Sequence, residues 1–376
     1  PARAELFRLA RRFPHRPWLA MRTETLTKPP HCLMNTPLDR RSFLGQSLAG
    51  LAAASPSLSA LGQDPAVRPL RIGLVSAASY GPTYGPDPQP RIPGSNHGTA
   101  FATIFNGYDE EKAKDFKGTF VKASKRIEGG RVVKIWDPDK TAAAAIADIC
   151  GIGTVAASPE DCVTDVDLAL LIDDGSGAQW KYAEAALRKG VPTFCDKPLA
   201  MTAKEAAAIA KVASETGTKF MSASSLRFVP DIVKLREDAA AIGPVRLCTV
   251  TGPGDLVYYG IHALSMAYEV LGPGVVSAHN TGLEGAHIVR LRHEKGLDIV
   301  MMIGARERMR AGFSIQLFGE KGNLRVEPDL KDLYAYLLEP VLDMVLHEKV
   351  SVPVGDEVEL IAALEAGQRS LELGRE

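Results

Sequence analysis

The chain has 376 residues, of which 45% are hydrophobic and 24% charged, with a formal net charge of -1. That is enough for two cores rather than one, and it leaves no electrostatic footprint for nucleic acid or another polyanion. The five cysteines, Cys32, Cys150, Cys162, Cys195 and Cys248, have no CxxC spacing, which argues against a zinc site and against a disulfide framework. Buried free thiols are expected, with a Cys150 to Cys162 bridge as the alternative, and no metal is expected.

Residues 1–62 read as a leader. Asp39-Arg40-Arg41-Ser42-Phe43-Leu44-Gly45 has the pattern of a twin-arginine signal, followed by the apolar run Gln46 to Ala60 and by small residues at Ser57, Ser59 and Ala60 suited to a signal peptidase. An internal amphipathic helix is the competing reading. The run is too short and too rich in Ala and Ser to span a membrane, so the mature protein is expected to have no span. Residues 1–33 are rich in arginine and proline without periodicity, and Met34 reads as a start. An over-extended reading frame is expected there, with a transit peptide as the competing explanation. The expected location is periplasmic, reached by export in the folded state.

Leu70 to Val75 is an apolar run of the kind that forms a buried parallel strand. It enters Ser76-Ala77-Ala78 rather than a glycine-rich turn, and a segment with Pro82, Pro86, Pro88, Pro90 and Pro93 follows. Ser95 or Asn96 then caps a helix through His97, Phe101 and Phe105. The order strand, turn, helix is kept, with an insertion inside the turn. Ser76, Ala77 and Ala78 are small enough for close approach to a pyrophosphate, without glycine's freedom at positive φ. His97 could point at the nucleotide; helix packing explains it equally well.

A second strand, Arg131 to Trp136, ends on Asp137. An acid at that tip is where a dinucleotide-binding domain holds the adenosine ribose, and its charge would favour NAD over NADP; a turn-initiating aspartate is the alternative. A helix from Thr141 to Cys150, a strand from Val166 to Ile172 ending in Asp173 and Asp174, and a helix from Trp180 to Lys189 come next. The two acids either line a cofactor cleft or form the turn. The short strand Val191 to Cys195 then stops at Asp196-Lys197-Pro198, delivering Lys197 to a strand's C-terminal edge, where open α/β sheets bind ligands. For the lysine alone, a solvated loop is the bland alternative.

Alternation from Leu70 to Leu199 predicts an α/β fold, a doubly wound parallel sheet over residues 69–200. After a helix from Thr202 to Gly217 the period changes. Strands at Val245 to Val250, His287 to His293, Asp298 to Met302, Phe313 to Leu317 and Asn323 to Val326, with hairpin turns near Gly296 and Gly322, predict an α+β domain over 201–376 with a large, mostly antiparallel sheet. Its exposed face is expected to support a homo-oligomer. Helices from Leu330 to His347 and Glu357 to Leu373 close the chain, the last expected to pack back on a domain face.

The order of these motifs resembles the Gfo/Idh/MocA oxidoreductases across the whole mature chain: Arg71 to Val75, Val133 to Pro138, Val166 to Ile172, Asp196-Lys197-Pro198-Leu199-Ala200, Arg227-Phe228, Gly260-Ile261-His262 and Phe318-Gly319-Glu320-Lys321-Gly322. The resemblance implies a Rossmann domain binding NAD and a second domain that binds a sugar or polyol. It implies Lys197 between nicotinamide and substrate, and His262 completing the polar site. Oxidation of a secondary alcohol needs a base for the hydroxyl proton while hydride leaves the same carbon, and a partly desolvated lysine beside a cationic ring can serve. Two positions differ from the family pattern: Tyr258 stands where an acid precedes the histidine by four residues, and Ser265 where another follows by three. Tyr258 and Tyr259 are then candidates for stacking or hydrogen bonding to a sugar, and Arg227 for anchoring a substrate, or else for an interdomain ion pair. Two further readings stay open: transient oxidation that assists cleavage or elimination of a glycoside with NAD tightly held, and a sugar-binding relative that has lost its cofactor.

Overall fold

The computed structural model describes residues 68–81 and 90–376. The leader, Met34, Cys32 and most of the proline-rich insertion lie outside them. Pro69–Glu376 form one compact unit.

In chain order the elements are β1 (Leu70–Val75), β2 (Ser79–Tyr80), β3 (Ile92–Ser95), α1 (Asn96–Asn106), α2 (Glu110–Asp115), β4 (Thr119–Phe120), β5 (Gly130–Trp136), α3 (Lys140–Cys150), β6 (Thr154–Val155), α4 (Pro159–Cys162), β7 (Leu168–Leu171), α5 (Trp180–Arg188), β8 (Thr193–Cys195), α6 (Ala203–Thr216) and β9 (Phe220–Ser222). A 3-10 turn (Ser225–Arg227), α7 (Pro230–Asp238), β10 (Val245–Pro253), α8 (Gly260–Leu271), β11 (Val275–Asn280), β12 (Ala286–His293), β13 (Asp298–Gly304), β14 (Ser314–Gly319), β15 (Gly322–Val326), α9 (Leu333–Leu346) and α10 (Val354–Leu373) follow.

Six parallel strands run in the order β6-β5-β1-β7-β8-β9. The order reverses between β1 and β7, which opens a crevice at their C-terminal ends. β7 is buried throughout, as its unbroken apolar run requires of a strand covered on both faces. The helices start where the caps are. Ser95 accepts from Gly98 N, Asp139 from Thr141 N and Ala142 N, and Thr202 pairs reciprocally with Glu205. The sheet continues past residue 200, where the sequence reading ended this domain. β9 adds a sixth strand too short to carry a periodic signal.

The second sheet has the order β11-β12-β13-β10-β14-β15. Its pairs are antiparallel except β10 with β13. β12 alternates buried and open positions strictly, and its inward Val289 packs against Gly367 of α10. α10 reaches the first sheet's layer as well, where Glu365 accepts from Ala203 N at 2.8 Å. α9, although late in the chain, packs Leu337, Leu338, Val341 and Leu342 into the core beside α1. Cys150, Cys162, Cys195 and Cys248 are buried free thiols. Among the described residues no helix is long and apolar enough to cross a membrane, and no group of His, Cys, Asp and Glu is placed to hold a metal ion.

Candidate active site

The crevice is built from the tips of β1, β5, β7 and β8. After β1 the chain turns through Ser76 at φ 54°. Asp137, at the tip of β5, is filled by that turn: it accepts from Ala78 N at 2.8 Å, Ser79 N at 3.0 Å and Ser79 Oγ at 2.5 Å, and from Asp139 N at 2.9 Å. Burial pushes its pKa up and these donors pull it down. The insertion returns Arg91 to the same edge. Its guanidinium donates to Asp173 Oδ1 at 2.7 Å, Ser79 O at 2.6 Å, Ser79 Oγ at 2.8 Å and Ser76 Oγ at 3.2 Å. Ser76 Oγ donates to the same Asp173 oxygen at 2.9 Å.

The expected glycine turn is displaced rather than absent. Gly94 has φ 97°, and a Cβ there would meet the Thr119 backbone at 2.3 Å; a Cβ on Gly98 would lie 2.1 Å from Ala77 O. Only glycine lets the first turn of α1 approach the β1 turn this closely. Both positions lie beyond the insertion, so the spacing of the usual fingerprint does not find them. The N-terminus of α1 faces Asp174, whose Oδ2 accepts from Asn96 N at 2.8 Å, with Ser95 Oγ at 3.3 Å and His97 N at 3.5 Å.

Lys197 follows β8 and is 4% exposed. The amide of Gln179 donates to the carbonyls of Asp196, at 2.7 Å, and of Pro198, fixing the segment on both sides of the lysine. Lys197 Nζ sits 4.5 Å above the Tyr258 ring and 5.6 Å from that of Tyr259. Burial lowers its pKa, with Asp196 and Asp174 opposing. His262 Nδ1 lies 2.7 Å from Ser224 Oγ, and burial, then the charges of Lys197 and His97, hold His262 well below the ordinary histidine range. His97 Nδ1 is 2.5 Å from Asp196 Oδ2. Tyr258 accepts from Gly175 N at 2.7 Å through its hydroxyl, and Tyr259, 41% exposed, marks the open side.

Thus Lys197, His262, Tyr258, Tyr259, His97 and Asp174 converge, whereas Arg227 turns away. Its Nε lies 3.4 Å from Glu269 and its Nη1 3.5 Å from Glu357, the ion-pair alternative. Three groups were not anticipated: Ser224; Phe313, whose ring is 5.5 Å from that of His262; and Tyr334, whose ring lies 4.8 Å from that of His97 at a tilt of 54°. Tyr334 arrives on α9, far along the chain, and no local pattern marks it.

Residues 94–224 match a family model described as an oxidoreductase family with an NAD-binding Rossmann fold, the Gfo/Idh/MocA group. Among curated proteins, inositol 2-dehydrogenase of Rhizobium meliloti (strain 1021) is 29% identical over 167 residues, 40% of this chain and 50% of that protein. D-xylose 1-dehydrogenase (NADP(+)) 2 of Haloferax volcanii is 34% identical over 93 residues, 24% of this chain and 29% of that one. The chain thus spans half or less of the length of these relatives. Among solved structures, myo-inositol dehydrogenase from Lactobacillus casei in complex with NAD(H) and myo-inositol superposes with a TM-score of 0.63 at 16% identity, covering 81% of this chain and 95% of that one; the fold is shared.

The residues fit NAD, the cofactor that the family description names. The sheet order supplies the crevice and Gly98 the close approach. The α1 N-terminus directs backbone N–H groups at an oxyanion, here the carboxylate of Asp174.

Proposed function

We propose that this chain, whose residues 94–224 match the model of the Gfo/Idh/MocA oxidoreductases, transfers hydride between NAD and a secondary alcohol of a sugar, polyol or glycoside. The observation that carries the reading is the buried Lys197 at the C-terminal edge of the parallel sheet, facing His262 and two tyrosine rings beside the crevice between β1 and β7. NAD, when bound, supplies the hydride acceptor. The α1 N-terminus and the tips of β1 and β7 would hold it, whereas Asp137 at the tip of β5 is taken up by the turn after β1.

Desolvation favours neutral Lys197, so its Nζ takes the substrate's hydroxyl proton. His262, kept neutral and tied to Ser224, holds that hydroxyl in place. Tyr258 screens the lysine from water, and the exposed Tyr259 offers a stacking face to the sugar. Export through the twin-arginine route to the periplasm, with NAD retained, and a homo-oligomer formed through the open face of the second sheet complete the proposal.

A second reading is favoured by the His97–Asp196 pair, a further base beside Lys197. Once an alcohol is oxidised to a ketone, the neighbouring C–H is acidic; such a base could take that proton as the leaving group departs, and return of the hydride from NADH to the ketone would then leave no net consumption of NAD.

The test is identification of nucleotides released from the denatured protein, followed by NAD titration and a polyol and glycoside screen with Lys197→Ala as control. NADH formed with a polyol supports the first reading, and product without NADH the second. A protein that neither carries nor binds NAD overturns both.

A further inference from the structure

Two independent observations meet at the first turn of α1. The match to the NAD-binding Rossmann family begins at Gly94, immediately before the helix whose N-terminus takes the dinucleotide's phosphates in this fold. That helix N-terminus carries a carboxylate of the chain itself. Asp174, 8% exposed, reaches across from the loop after β7 and accepts from Asn96 N, with Ser95 Oγ and His97 N around the same oxygen. Its other oxygen is 3.5 Å from the Tyr258 hydroxyl.

A carboxylate and a pyrophosphate cannot share these donors. Each backbone N–H forms one good hydrogen bond, and like charges at this separation repel strongly in a partly desolvated cleft. Asp174 sits in a loop where Asp173, Gly175 and Gly177 all have positive φ, at 42°, 82° and 66°. We propose that Asp174 is an internal surrogate for the cofactor's phosphate, and that NAD binds by displacing its carboxylate from the N-terminus of α1. Asp174 therefore sets dinucleotide affinity without being a ligand of the dinucleotide. The inference rests on the NAD reading above.

The experiment is calorimetric titration of wild type and Asp174→Asn with NAD, ADP and adenosine. The asparagine keeps the shape and removes the charge, so NAD and ADP are expected to bind about tenfold tighter or better, with adenosine unchanged. A gain for adenosine equal to that for ADP, or unchanged or weaker NAD binding by the variant beside a wild type that binds, overturns the surrogate and leaves the NAD reading standing. If neither protein binds NAD, both fall. Hydrogen exchange on the wild type reads the displacement directly, whether or not the variant folds. On adding NAD, amides of residues 173–177 are expected to lose protection while those of 96–98 keep it, and unchanged protection of 173–177 contradicts the displacement.

Discussion

Glu357 offers the sharpest quantitative handle on this fold. It is fully buried on α10, and neither carboxylate oxygen has a hydrogen-bond partner. The nearest cation, Arg227 Nη1, is 3.5 Å away, too long for a strong hydrogen bond. Burial raises its pKa from 4.5 to about 7, with Asp356 adding to the rise and Arg227 opposing it. The native state therefore holds this proton more tightly than the unfolded chain. The associated stability is full below pH 4.5 and is lost as pH rises through about 7. Linkage with these two values gives a loss of about 1 kcal/mol by pH 5 and about 3 kcal/mol by pH 8. Glu357→Gln cannot ionise, so any constant effect of the amide cancels when its effects at the two pH values are subtracted. Urea unfolding of both proteins at pH 5 and pH 8 should show the variant gaining about 2–3 kcal/mol more, relative to wild type, at the higher pH. An equal effect at both pH values would mean that Glu357 is already ionised and compensated in the native protein, and the reasoning from burial would be refuted.

Lys197→Ala should lower kcat by about a thousandfold, the range for a lost general base, while retaining NAD binding. In wild type, kcat/KM should rise with pH as the lysine loses its proton, levelling below 10.5 because burial depresses its pKa; a limb at or above the ordinary value would contradict the desolvated base. Gly98→Ala drives a Cβ to 2.1 Å from Ala77 O and should cost about 1–3 kcal/mol despite alanine's better helix propensity, read as a lower Tm together with weakened NAD binding. Tyr258→Phe strands Gly175 N, now 2.7 Å from the hydroxyl, and should cost about 1–3 kcal/mol in chemical denaturation.

β7 was legible because it is buried throughout and reads as an unbroken apolar run, β1 because Ile72 to Val75 does the same, β5 because Val132, Val133 and Ile135 keep strand character despite Arg131 and Lys134, and β12 because one open face writes strict alternation into its sequence. β11 was missed: it follows Gly272-Pro273-Gly274 and ends in His279 and Asn280, which read as loop. α8 was seen only as a Gly-Ile-His motif, for its first turn carries no acid and no side-chain cap. At the site, Lys197 was legible because a strand ended on it. Gly94 and Gly98 were not, since the insertion moves them out of the spacing by which such glycines are recognised. Tyr334 and Ser224 join the site by tertiary packing alone, which leaves no periodic trace.

The buried thiols have a consequence for how this chain tolerates its surroundings. Desolvation pushes Cys150, Cys162 and Cys248 up to about 12, and Cys195 well above the ordinary thiol range. The nucleophilic thiolate is then scarce and shielded from oxidant at each position. Once the chain is folded, none of these four thiols is presented for disulfide exchange, whether the surroundings are reducing or oxidising.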